Sequence, residues 1–131
     1  MQKPRLKKGT SELSRSHIYR QLVDAGVKYV DLGWRKFTIH LTDDLKDPAG
    51  READGLTDFS DYKIVLNSNL PDLRARETLL HEIMHCLFDT FDLDERNEAS
   101  VTVKNESLTA MTTRGFLLIK NLNPRLWSLL Y

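Results

Sequence analysis

Residues 71–91, PDLRARETLLHEIMHCLFDTF, decide the reading of this chain. Pro71 suits the first turn of a helix, where its missing N–H would have no partner anyway, and Asn69 stands two residues earlier as a candidate cap. From Leu73 onward a 3.6-residue period gathers Leu73, Leu80, Ile83, Met84, Leu87 and Phe88 on one broad face, which predicts an amphipathic helix with that face in the core. Inside it lies His81-Glu82-Ile-Met-His85. At 1.5 Å rise per residue the two histidines fall one turn apart on the same side, so both imidazoles reach a single metal ion. Glu82 sits about 100° round the wheel from His81, beside rather than in that pair, where a carboxylate serves as base to a metal-bound water. All three residues are expected off the apolar face.

Working outward, the upstream half reads as strands. Phe37, Ile39 and Leu41 alternate with Lys36, Thr38 and His40, the period of a half-buried strand. Residues 43–54 carry Pro48 and Gly50 and form a loop. A short strand over Gly55–Phe59 and a stronger one over Tyr62–Leu66 follow, with Asp61 at their connection. Before them, a helix starting at Ser14 or Ser16 repeats Ile18, Leu22 and Val23 and stops at Gly26. After the His81–His85 helix, an Asp-rich turn over Asp89–Asp94 leads to a polar stretch. A second apolar-periodic helix then begins at Asn105, because the β-branched run before it disfavours an earlier start. Pro124 breaks that helix and opens a last short one, Arg125 to Tyr131. The fold class is α+β: a small antiparallel or mixed sheet packed on the His81–His85 helix and on a following antiparallel helix.

Composition narrows the function. The chain has 131 residues, 40% hydrophobic and 29% charged, the size and balance of one globular domain over residues 13–131. One cysteine, Cys86, rules out an internal disulfide or a multi-cysteine zinc site and points to a reducing compartment. No apolar run approaches bilayer length, and no signal-peptide core follows the basic start, so a cytoplasmic location without a membrane partner is expected. Nineteen basic and nineteen acidic side chains cancel, but not evenly: Lys3, Arg5, Lys7, Lys8, Arg15 and Arg20 face Glu12 alone in the first twenty residues. Residues 1–12 therefore read as a flexible basic arm, and a nucleic-acid contact through it is a secondary expectation.

A catalytic zinc takes three protein ligands and leaves one position open. Besides His81 and His85, the other histidines are His17 and His40, and the downstream carboxylates are Asp89, Asp92, Asp94, Glu95, Glu98 and Glu106. Asp89, one turn past His85, is suited to orient that ring. Glu106 opens the helix that packs beside the first and is the favoured third ligand, with Glu98 second.

The HEIMH stretch preceded by Thr78-Leu79-Leu80, the strand Ile64-Val65-Leu66-Asn67-Ser68 before it and Glu106 on a later helix resemble the gluzincin zinc metallopeptidases. Within these, the chain is most similar to the small single-domain proteins of phages and mobile elements related to the ImmA/IrrE type. The tail, with Asn123-Pro124 and Leu126-Trp127, is similar as well, and the likeness spans about residues 36–131. It implies a minimal zincin-like fold with Zn2+ on His81, His85 and Glu106, and Glu82 as general base in peptide hydrolysis. The chain departs from the pattern by carrying Met84 before the second histidine and Asn105-Glu106 where paired acids are frequent. His40, Arg114, Tyr62 and Tyr131 are the candidates for stabilising the oxyanion, and the strand Tyr62–Leu66 is a candidate edge for aligning an extended substrate. The alternative function is a zinc-containing protein without catalysis that occupies a host or phage partner. The partner expected is a protein or peptide substrate.

Overall fold

The structure, a computed structural model, describes residues 17–91 and 105–130, with side chains from 108 onward in the second segment. The basic arm, Glu98, Tyr131 and the acids from Asp92 to Glu95 lie outside the described residues. The architecture is α+β: helix α1 (His17–Asp24), strands β1 (Tyr29–Asp31), β2 (Lys36–Thr42), β3 (Gly55–Asp58) and β4 (Lys63–Asn67), then helices α2 (Asp72–Thr90), α3 (Asn105–Leu122) and α4 (Pro124–Leu130). Among the described residues no helix is long and apolar enough to cross a membrane.

The sheet is mixed, in the order β1-β2-β4-β3. β1 and β2 are antiparallel, β3 and β4 are antiparallel, and β2 runs parallel to β4, with Ile39 opposite Ile64. The parallel pair arises because the chain leaves β2, crosses to the far edge as β3, and returns through a tight turn into the gap. Asp58 closes that turn, its Oδ1 accepting from the N–H groups of Ser60 and Asp61 at 2.9 and 3.1 Å. Two expectations change. Strand β4, read as an edge, lies inside the sheet, and β3 is the edge. The three-residue β1, which carries too little alternation to be visible in the sequence, completes the other side.

α1 ends as expected at Gly26, whose φ of +69° only glycine adopts without strain. The N–H of Val27 donates to Leu22 O and that of Gly26 to Val23 O, the paired bonds of a Schellman stop. Val23 is exposed, and Tyr19 takes its place in the core beside Ile18 and Leu22. The N–H of Ile18 finds a partner in Asp72, whose Oδ1 accepts it at 2.7 Å. Asp72 also binds Arg76, and Arg76 donates to Leu129 O at 2.8 Å, so one acid and one base fasten α1, α2 and α4 together.

The buried face of α2 differs from the expected one. Leu73 is 83% exposed, while Ala75, Thr78, Leu79, Glu82, Ile83, Cys86 and Leu87 are buried. Leu80, Met84 and Phe88 are only half-buried. The stripe is turned towards small residues because close approach to the sheet decides the orientation. A Cβ added to Gly55 of β3 would stand 2.8 Å from Thr78 Cγ2 and 3.1 Å from Glu82 Cγ. The α2 start also differs: Pro71 is the cap residue, without a side-chain capping bond, and Asn69 does not cap. α3 crosses α2 at Gly115, where a Cβ would collide with the Leu87 side chain. At the α3–α4 junction Asn123 is buried, accepting from the N–H of Asp31 and donating to its C=O, each at 2.7 Å. That double bond ties the Asn-Pro corner to β1.

Candidate metal centre

α2 carries the site in its middle, and β3 forms its wall. His81 and His85 project from one side of α2, and their Nε2 atoms stand 3.2 Å apart, the rings meeting edge to face with centroids 4.8 Å apart. Two nitrogens each about 2.05 Å from one tetrahedral ion would be about 3.3 Å apart, so the observed spacing is compatible with both imidazoles holding a single divalent ion. Glu82 completes the group, and one ligand atom from each of the three residues lies within 4.8 Å of the others. These residues can hold a divalent ion, and no other such group occurs among the described residues.

The three side chains differ sharply in environment. His81 is open to solvent, with 65% of its side chain exposed, whereas only 7% of the Glu82 side chain is. The expectation that all three avoid the buried face therefore fails for Glu82, which faces β3. A carboxylate at such a position needs hydrogen bonds to offset lost hydration. Thr57 of the edge strand supplies one, its hydroxyl donating to Glu82 Oε1 at 2.8 Å. The second oxygen, Oε2, turns towards His81, 4.0 Å from its Nε2. Thr57 is the site residue that the sequence reading missed. A threonine at the inward position of a weak four-residue strand has no signature of its own, and only the pairing of β3 with β4 brings it over α2.

A cleft of about 520 Å3 opens from this group towards the start of α2, bounded by Gly55, Thr78, His81 and Glu82 on the inner side and by Glu52, Asp54, Arg74 and Glu77 on the outer. Arg74 spans the cleft's rim, its Nε donating to Asp54 Oδ2 at 2.5 Å and so linking α2 to the approach of β3. The cleft, the carboxylate and the exposed imidazole of His81 therefore share one wall with β3, the edge strand among the described residues.

The other candidates lie elsewhere. His17 belongs to α1 and contacts Arg20. His40 stands on the sheet face opposite Phe37 and Ile39, its Nε2 2.8 Å from Thr38 Oγ1, so it cannot reach across to α2. Tyr62 is held under the Arg35 guanidinium, 3.9 Å from its ring centre, in a cluster with Trp34 and Phe37. Arg114 is exposed on α3. Glu106 falls in the first turn of α3. Met84 packs half-buried against the core, which accounts for a large residue before the second histidine. No known family model, curated protein or solved structure matches the chain, so the geometry of His81, Glu82 and His85 carries the functional reading.

Proposed function

We propose that this chain is a zinc-dependent metallopeptidase of the small, single-domain gluzincin kind. The observation that carries the reading is the pair of imidazole nitrogens at tetrahedral spacing beside a carboxylate that is buried, hydrogen-bonded and set back from them. In this reading His81 and His85 hold the ion, and Glu106 at the head of α3 is the proposed third ligand, with Glu98 the alternative. A bound Zn2+ would supply Lewis acidity, bringing the pKa of a coordinated water towards about 7 and polarising the substrate carbonyl.

The chain's own residues supply the rest. Glu82 Oε2 faces the metal side and takes the proton of the attacking water, then returns it to the leaving amine. Thr57 keeps the opposite oxygen occupied, so the basic oxygen has one direction to act in. Among the described residues β3 pairs on one side only, with β4, so its outer edge is the one suited to add an extended peptide. This moves the substrate-aligning role from β4, where the sequence placed it, to β3. The cleft at the start of α2 receives side chains on one side of the scissile bond.

Elemental analysis and a peptide-library digest test the proposal together. The wild-type chain is expected to carry one zinc per molecule and to cleave peptides in a chelator-sensitive way. Glu82→Gln keeps the zinc and loses cleavage, while His81→Ala or His85→Ala loses the zinc. Turnover retained in Glu82→Gln refutes the mechanism, and unchanged metal content in the histidine variants refutes the site. Stoichiometric zinc without turnover in the wild type identifies the non-catalytic binding protein instead.

A further inference from the structure

We infer that Thr57 is the positioning residue that keeps Glu82 out of the metal's coordination sphere, and so decides that this carboxylate is a base and not a ligand. The inference rests on the reading that His81 and His85 hold the ion.

Glu82 is poised between two roles. Two donors on one tetrahedral ion, each at about 2.05 Å, stand about 3.3 Å apart. The histidine nitrogens meet that distance at 3.2 Å. Glu82 Oε2, at 4.0 Å from His81 Nε2 and within a group of ligand atoms spread over 4.8 Å, would have to move by about 1 Å to meet it, a shift within reach of a glutamate side chain. A carboxylate flanking a bound cation is drawn towards it. The restraint comes from β3. The Thr57 hydroxyl holds Oε1 at 2.8 Å on the side away from the histidines. The absent side chain of Gly55 lets the Glu82 stem lie against the strand, 3.1 Å from where a Cβ would be. Thr57 also sits in a paired strand, opposite Ile64, which fixes its backbone. Moving Glu82 onto the metal works against this hydrogen bond to a nearly buried carboxylate, the strongest kind of restraint a hydroxyl offers.

A residue that merely orients a ligand weakens metal binding when it is lost, by about 10- to 100-fold. A residue that withholds an extra ligand does the reverse. Thr57→Val keeps the shape and strand preference of the side chain and deletes the hydroxyl. The probe is Co2+, whose visible absorption reports the number and type of ligands, with zinc affinity measured by chelator competition. In Thr57→Val the Co2+ bands are expected to shift and lose intensity as a carboxylate oxygen joins, and zinc is held about ten-fold more tightly, not more weakly. Thr57→Ser, which restores the hydroxyl, gives the wild-type spectrum. Thr57→Val combined with Glu82→Gln also returns it, because an amide is a poor replacement ligand. Thr57→Ala serves as a second deletion of the hydroxyl should valine disturb the strand, and circular dichroism confirms the fold of each variant.

A Thr57→Val protein whose Co2+ spectrum and zinc affinity equal those of the wild type overturns the assignment of Thr57 and leaves the metal centre standing. Weaker zinc binding overturns it too, and makes Thr57 an ordinary support of the site. A wild-type chain that takes up no Co2+ at all overturns the metal reading itself, and this inference with it.

Discussion

Replacing Gly55 with alanine tests whether contact between the edge strand and α2 sets the site. A Cβ at position 55 would lie 2.8 Å from Thr78 Cγ2, 3.1 Å from Glu82 Cγ and 3.3 Å from Leu66 Cδ2. Ordinary carbon contacts lie at about 3.5–4.0 Å, so the methyl of Thr78 must retreat by about 0.7 Å or more. Thr78 and Leu66 are both buried, so neither has open space to retreat into. The helix has to move. Overpacking of this kind costs about 1–3 kcal/mol, and removing a strand glycine returns about 0.5–1 kcal/mol, which leaves a net loss of about 1 kcal/mol. The larger effect falls on the site, since the same movement stretches the 2.8 Å bond from Thr57 to Glu82 towards or beyond the range of a hydrogen bond. Urea unfolding followed by tryptophan fluorescence measures the first effect, and the Co2+ spectrum measures the second. An alanine variant as stable as the wild type, with an unchanged spectrum, would show that α2 does not rest on Gly55 and that the geometry of the wall has been misread.

Further tests address the frame and the metal. Asn123→Ala strands the N–H and C=O of Asp31, both served at 2.7 Å, and is expected to cost about 3 kcal/mol, read as a lower urea midpoint with an unchanged m-value; a loss under about 0.5 kcal/mol contradicts the clasp. For Asp72, burial by itself would raise the carboxyl, but the hydrogen bonds from Arg76 and the Ile18 N–H and the nearby charges of Arg76 and His17 outweigh it and hold the group below the usual carboxylate value. Because its folded pKa is the lower one, its stabilising effect is fully present above the ordinary carboxylate pKa of about 3.9 and is lost as pH falls from there through the lowered folded value, so the gap between Asp72→Asn and the wild type should be widest near pH 6 and narrow steadily on acidification to pH 3. A constant difference across that range would contradict the assignment. Zinc at about 100 times its dissociation constant should stabilise the fold by about 2.7 kcal/mol, raising the melting temperature by about 10 °C for a chain of this length. His81→Ala should abolish the shift, and its persistence would place the ion elsewhere.

What the sequence disclosed and what it withheld divide along physical lines. The two histidines could be placed because helix geometry alone puts positions four apart on one side, whatever surrounds them. The same holds for the stop at Gly26 and the break at Pro124, where local backbone chemistry decides. Glu82 could not be placed, because its burial depends on partners 25 and 27 residues upstream that neither period nor propensity connects to α2. The error over Leu73 has the same origin. Apolar periodicity weighs large side chains, whereas the helix buries the small Ala75, Thr78 and Cys86 and turns Thr78 to the sheet, where a glycine allowed a close fit. Strand order was withheld too, since a short crossing chain and a hairpin read alike until β3 is seen to occupy the edge and β4 the interior.

This last displacement matters most for function. Strand β3 presents one face to Glu82 through Gly55 and Thr57, while among the described residues no strand pairs with its outer backbone edge. A peptide laid along that edge would take its position from the same backbone that positions the base. Any shift of β3 relative to α2 would then carry substrate and base together with respect to the strand and move both relative to the histidines. In such an arrangement, substitutions at Gly55 or Thr57 should depress turnover much more than they depress peptide affinity, because pairing along the edge survives while the distance from base to metal does not. Equal losses in kcat and in affinity would mean that the peptide takes its alignment from somewhere other than β3.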